Sequence, residues 1–167
     1  GLFCGPETST ANRAMMGGMV GNNSCGSNSI VYRSTREHLL EVKAVLSDGS
    51  EATFKSISLD EFHEKCEGDN LEANIYRTTR TLLSNYDNQI EIRKEFPKKS
   101  VERRNTGYAI DVLLNSSPFT AGEEDFNFCK LIEGSEGTLA FITEIKLNVV
   151  PLPPTGLGLI LFHFSSL

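Results

Sequence analysis

An α+β fold is predicted for this chain by three observations. A β-hairpin is read over about 39–54, where Leu40, Val42, Ala44 and Leu46 alternate with Glu41, Lys43 and Val45 ahead of the turn signal Asp48-Gly49. An amphipathic helix is read over about 70–95, where Leu71, Ile75, Thr78, Leu82, Tyr86 and Ile90 recur at helical spacing. A half-buried strand comes late in the chain. There Thr143, Ile145, Leu147 and Val149 face one way and Glu144, Lys146 and Asn148 the other, until Pro151, Pro153 and Pro154 close it.

The remaining elements follow in chain order. Residues 1–36, rich in glycine, asparagine and serine, read as irregular backbone. Ser58 with Glu61 has the form of a capping box and starts a short helix near residue 59; Asp69 with Glu72 repeats the signal for the long helix. A break is expected near Tyr86-Asp87-Asn88, and Pro97 ends the helix. The basic cluster 93–104 reads either as a solvated helix end or as a surface for an anionic ligand or partner. Residues 106–115 form a short helix, 121–126 a loop, and 157–167 one more strand. That strand has no partner behind it, and apolar Leu2-Phe3 opens the chain abruptly, so the chain is expected to be a segment of a longer protein.

Composition excludes several classes. With 167 residues the chain has room for one hydrophobic core. A net charge of −6 argues against non-specific nucleic-acid binding. No apolar run approaches the roughly 20 residues of a membrane helix, and no basic-then-apolar leader opens the sequence. Cys4, Cys25, Cys66 and Cys129 form no C-x-x-C pair and have no histidine at ligand spacing. They read as reduced thiols of a cytoplasmic protein, with no metal site.

The stretch 15–29, MMGGMVGNNSCGSNS, poses the functional question. Glycine admits positive φ and close backbone approach, and exposed amides make a nest for anions. The dinucleotide fingerprint does not fit, because Gly17-Gly18-x-x-Gly21 has the wrong spacing and no strand before it. The Walker loop lacks its lysine, and the kinase loop lacks its Val-Ala-Ile-Lys strand. A coiled surface loop and a ligand cradle both remain open from this stretch alone. A second motif, GSEGT at 134–138, sits between apolar runs and reads as a tight turn whose amides line a pocket. Together the two suggest one extended ligand, of the size of a nucleotide cofactor.

Residues 6–50, 103–114 and 130–153 together resemble the FAD-linked oxidase family, whose flavin domain is of the vanillyl-alcohol-oxidase type. Within it the chain is similar to FAD-dependent D-2-hydroxyacid dehydrogenases of the glycolate oxidase, D-lactate dehydrogenase and D-2-hydroxyglutarate dehydrogenase types. The resemblance implies the second lobe of a two-lobed FAD-binding domain, an antiparallel sheet flanked by helices, truncated at both ends. It places this lobe at 1–153, with a helical insertion at about 58–115. The stretch 154–167 then becomes a linker and the first strand of a truncated substrate domain.

By position, the resemblance implies flavin contacts at Pro6, Thr8, Ser9, Met16, Gly17, Gly18, Gly21, Asn22, Ser24, Gly26 and Ser27. Glu136, Gly137 and Ile142 are implied near the adenosine and pyrophosphate end. The implied reaction is hydride transfer from the α-carbon of a small 2-hydroxy acid to FAD. His38 and His63 read as structural or solvated, His163 lies in the final strand with a substrate-domain role as the alternative, and no catalytic residue or electron acceptor is assigned. Cys25 reads as a small residue beside the cofactor, with a covalent-flavin or redox-thiol role as the alternative. Arg103 and Arg104 either pair with acidic neighbours or face the flavin. The implied location is cytoplasmic, with a position peripheral to the inner membrane also compatible. The alternative function is a non-catalytic binding or scaffolding module, a homodimer formed through the bare final strand.

Overall fold

The computed structural model describes every residue except Lys99, Glu102, Thr106, Leu157 and Leu167. Two members of the basic cluster, the start of the 106–115 helix and both ends of the 157–167 stretch therefore lie outside the described residues.

The centre is a three-stranded antiparallel sheet. Its strands are β2 (Leu39–Val45), β3 (Glu51–Lys55) and β4 (Phe141–Leu147), in the order β3-β2-β4. The predicted hairpin is β2–β3, with Asp48 accepting from the Ser50 amide and Gly49 at φ +85°. A two-residue strand, β1 (Leu2–Phe3), pairs with β5 (Val150–Pro151), a bridge that the residue pattern does not signal.

The helical part packs on this sheet through aromatic rings. Helix α3 (Leu59–Lys65) starts at the Ser58–Glu61 capping box, as read from the sequence. Helix α4 (Leu71–Ser84) is capped by Asn70 rather than Asp69, because it is the Asn70 side chain that accepts from the Ala73 amide. The long helix breaks at Asn85, which leaves the helical region and caps α5 (Tyr86–Glu95). Phe62, Tyr76, Phe126 and Phe128 meet edge to face, with Tyr76 tilted on Phe126, and ring centroids 4.7–6.0 Å apart. Burying each ring stabilises by about 2 kcal/mol, which is what seats the insertion.

Three expectations change. Residues 1–36 are not all irregular: they contain α1 (Met16–Gly21), α2 (Ser29–Tyr32) and a 3₁₀ turn at Thr35–Glu37. On β4, Ile142, Ile145 and Leu147 are the half-buried side chains, and Thr143 faces solvent. The cause is a register shift between Lys43 and Ala44, which moves Ile142 opposite Ala44 while Glu144 stays opposite Lys43. The expected last strand does not form: described residues 158–166 are irregular, and Leu159, Ile160, Leu161, Phe162 and Phe164 are exposed. Two further short helices, α6 (Ile110–Leu114) and α7 (Cys129–Ile132), complete the described elements.

Candidate functional site

The two glycine motifs meet. The end of α1 lies against the GSEGT turn: the Gly134 amide donates to the Val20 carbonyl at 3.0 Å, and the Glu136 amide to the Gly21 carbonyl at 2.9 Å. A Cβ built on Gly21 would lie 3.7 Å from the Glu136 Cα and the Gly137 nitrogen. The turn itself needs left-handed backbone at Gly134, Glu136 and Gly137. Its amides are occupied at Gly134, Ser135, Glu136 and Thr138, so it acts mainly as a clasp on α1. Tyr108 pins it from outside, its hydroxyl 2.5 Å from Thr138 Oγ1.

The later part of the same glycine-rich stretch helps line a cleft of about 630 Å³, formed by Glu7, Thr8, Ser9, Ala11, Asn12, Arg13, Cys25, Gly26, Ser27 and Arg103. This is within the range of small-molecule sites. Turns at 8–14 build one wall, where the Ala11 amide bonds the Thr8 carbonyl and the Arg13 amide the Thr10 carbonyl. The opposite wall is the 25–27 loop. Gly26 is required there, because a Cβ would fall 1.4 Å from the Glu7 carbonyl oxygen, and its own amide donates to Ser29 Oγ. Arg103 donates from Nε to Cys25 Sγ at 3.1 Å, while Arg104 forks onto Asp111.

Of the residues singled out in the sequence, Thr8, Ser9, Gly26 and Ser27 share this cleft. Gly21, Glu136 and Gly137 come together at the clasp. Gly17 and Gly18 sit in the exposed first turn of α1, where a Cβ on either would meet nothing within 4 Å. No side chain caps that turn. Pro6 and Ser24 are buried, Met16 and Asn22 are exposed, and Ile142 is half-buried against the core. Arg13 escaped the sequence reading. It stands in a turn-rich run with no motif around it, and only the cleft reveals it.

A larger groove of about 1120 Å³, lined among others by Arg36, Glu37, Lys130, Arg104 and Asp111, shares no residue with the cleft. Of the groups just named, Arg36 and Lys130 are used on carbonyls, Glu37 on Ser34 and Arg104 on Asp111. Near it Glu133 is fully buried, and its carboxyl oxygens have no hydrogen-bond partner among the described residues. Burial pushes this carboxyl up to about 8, against the pull of Arg36 and Lys130. His38 is buried between the carbonyls of Tyr32 and Asn148, whereas His63 and His163 are exposed.

Residues 1–55 match the FAD binding domain family. Over 153 residues, 92% of this chain, the sequence is 34% identical to a D-2-hydroxyglutarate dehydrogenase of Pseudomonas putida and 34% identical to one of Escherichia coli. Over 154 residues it is 32% identical to one of Haemophilus influenzae. These matches bear out the resemblance to FAD-linked D-2-hydroxyacid dehydrogenases. The chain spans 14% of the length of each of these relatives. Its cofactor is FAD, and the site fits that cofactor. In the cleft, the hydroxyls of Thr8, Ser9 and Ser27 and the guanidinium groups of Arg13 and Arg103 suit a ligand carrying phosphate, while the open glycine pair of α1 stands outside that lining. No helix among the described residues is long and apolar enough to cross a membrane.

Proposed function

We propose that this chain forms one wall of the flavin site in an FAD-dependent oxidoreductase that oxidises a 2-hydroxy acid of the D-2-hydroxyglutarate or D-lactate type. The observation that carries the reading is the meeting of the two glycine motifs, together with a cleft that Thr8, Ser9, Gly26 and Ser27 share. The names of the relatives support the substrate class. When bound, FAD supplies the hydride acceptor. The chain's own part is to hold and orient: Gly17 and Gly18 leave room for close approach, and Thr8, Ser9 and Ser27 present hydroxyls. Arg13 and Arg103 offer positive charge to phosphate or carboxylate oxygens.

No proton acceptor is assigned among these residues. His38 is committed to two carbonyls, and His63 and His163 stand away from the cleft lining. We assign 1–153 to the flavin lobe and 154–167 to the connection towards a substrate domain. The test is an absorbance spectrum of the complete gene product. A flavin band near 450 nm that bleaches on adding D-2-hydroxyglutarate or D-lactate is expected, roughly one flavin per chain. A flavin-free product overturns the reading.

A second, non-catalytic reading is self-association through the exposed apolar run at 159–164. A flavin-free product that sediments as a dimer would favour it.

A further inference from the structure

Arg36 is 3% exposed, yet its guanidinium forms a hydrogen bond to no carboxylate among the described residues. Burying a charge without such a bond is costly. All its side-chain hydrogen bonds go to backbone carbonyls: Nε to Lys130 at 3.1 Å, Nη2 to Glu133 at 2.8 Å and Nη2 to Gly107 at 3.3 Å. Its backbone amide donates to Asn23 Oδ1 at 3.1 Å, and Asn23 Nδ2 donates on to the Arg104 carbonyl. The adjacent Thr35 holds the Ser24 carbonyl with both its amide and its hydroxyl.

Each of these contacts falls on a segment that shapes the site. Asn23 and Ser24 follow α1, Lys130 and Glu133 lead into the GSEGT turn, and Gly107 belongs to the segment that delivers Arg103 and Tyr108. Gly134 is pressed on the same guanidinium, so that a Cβ there would fall 2.8 Å from Nη2. Only a planar fork with fixed donors reaches this set of carbonyls at once, and an ammonium does not.

We propose that Arg36 is a positioning residue: it sets the spacing between the two glycine turns, and through that spacing the fit of an FAD that spans both. The proposal rests on the flavin reading above, and its test keeps the two apart. In the complete gene product, wild type, Arg36→Lys and Arg36→Met are titrated with FAD and with ADP, and backbone amide exchange is followed without ligand. FAD affinity is expected to fall about tenfold in Arg36→Lys and further in Arg36→Met. ADP, which reaches one end only, should change by less than about twofold. The Gly134 and Glu136 amides should exchange about tenfold faster in Arg36→Lys.

If Arg36→Met does not fold, the lysine variant alone decides. A folded lysine variant with an unchanged ratio of FAD to ADP affinity overturns the positioning role. Unchanged exchange at Gly134 and Glu136 overturns the clasp itself, whatever the ligand result. A wild-type protein that binds no FAD sinks the flavin reading and with it the link from Arg36 to the cofactor.

Discussion

Replacing Glu133 by glutamine should remove an alkaline weakness from the fold. The carboxyl is fully buried, its oxygens have no hydrogen-bond partner among the described residues, and burial lifts it from the ordinary 4.5 to about 8. The charged groups that act on it are Arg36 and Glu37 of the 3₁₀ turn and Lys130 of α7. Between those two values the unfolded chain has lost this proton while the folded chain keeps it. Stability from this group is therefore complete below pH 4.5 and falls by about 1.4 kcal/mol per pH unit until it is gone above pH 8. The whole loss is of order 5 kcal/mol, a large share of a typical domain's stability. Urea unfolding at about pH 5.5, 7 and 8.5 reads it directly. Wild type should lose about 3 kcal/mol across that range through Glu133, and Glu133→Gln should lack this component. Other titrating groups are common to both proteins and cancel in the difference. Parallel lines for the two proteins would refute the argument, since they would mean that Glu133 reaches water or a partner.

The two glycine environments give opposite outcomes. Gly18→Val should leave thermal stability within about 0.5 kcal/mol, because its side chain meets open space and valine tolerates a helix slightly better than glycine. It should nevertheless abolish flavin occupancy of the complete gene product; normal absorbance near 450 nm would reject the close approach. Gly26→Ala drives a methyl into the Glu7 carbonyl and should cost about 3 kcal/mol or more, seen as a lowered melting point before any flavin is added.

What was readable from the residues alone was whatever short-range chemistry decides. Ser58 and Glu61 sit three apart and cap α3 through their own hydrogen bonds, and Asp48-Gly49 turns the hairpin within four residues. The face of β4 was not readable. A bulge near Thr143 is set by pairing with Lys43 and Ala44, a hundred residues upstream, and one slipped residue turns Thr143 outward. Helix α1 was missed because MGGMVG has poor helical propensity; burial of Met19 and Val20 overrides it. The terminal run 157–167 carries strand chemistry, but no described strand pairs with residues 158–166. For the site, composition marked both glycine motifs, yet their contact rests on long-range hydrogen bonds and on Arg36, an arginine that no local pattern distinguishes.

That difference bears on what a glycine-rich stretch means. Gly26 and Gly134 have a structural reason to lack a side chain: the first is pressed on the Glu7 carbonyl, the second on Arg36 at φ +83°. Gly17 and Gly18 have none. They are helical, at negative φ, with empty space where a Cβ would stand. Two glycines inside a helix cost about 1–2 kcal/mol relative to alanine, and nothing among the described residues recovers it. A loop that merely needed to turn would place its glycines at positive φ. Under the flavin proposal above, a surface that must admit a ligand places glycines where the chain itself has no use for them, and the positions of Gly17 and Gly18 agree with that proposal.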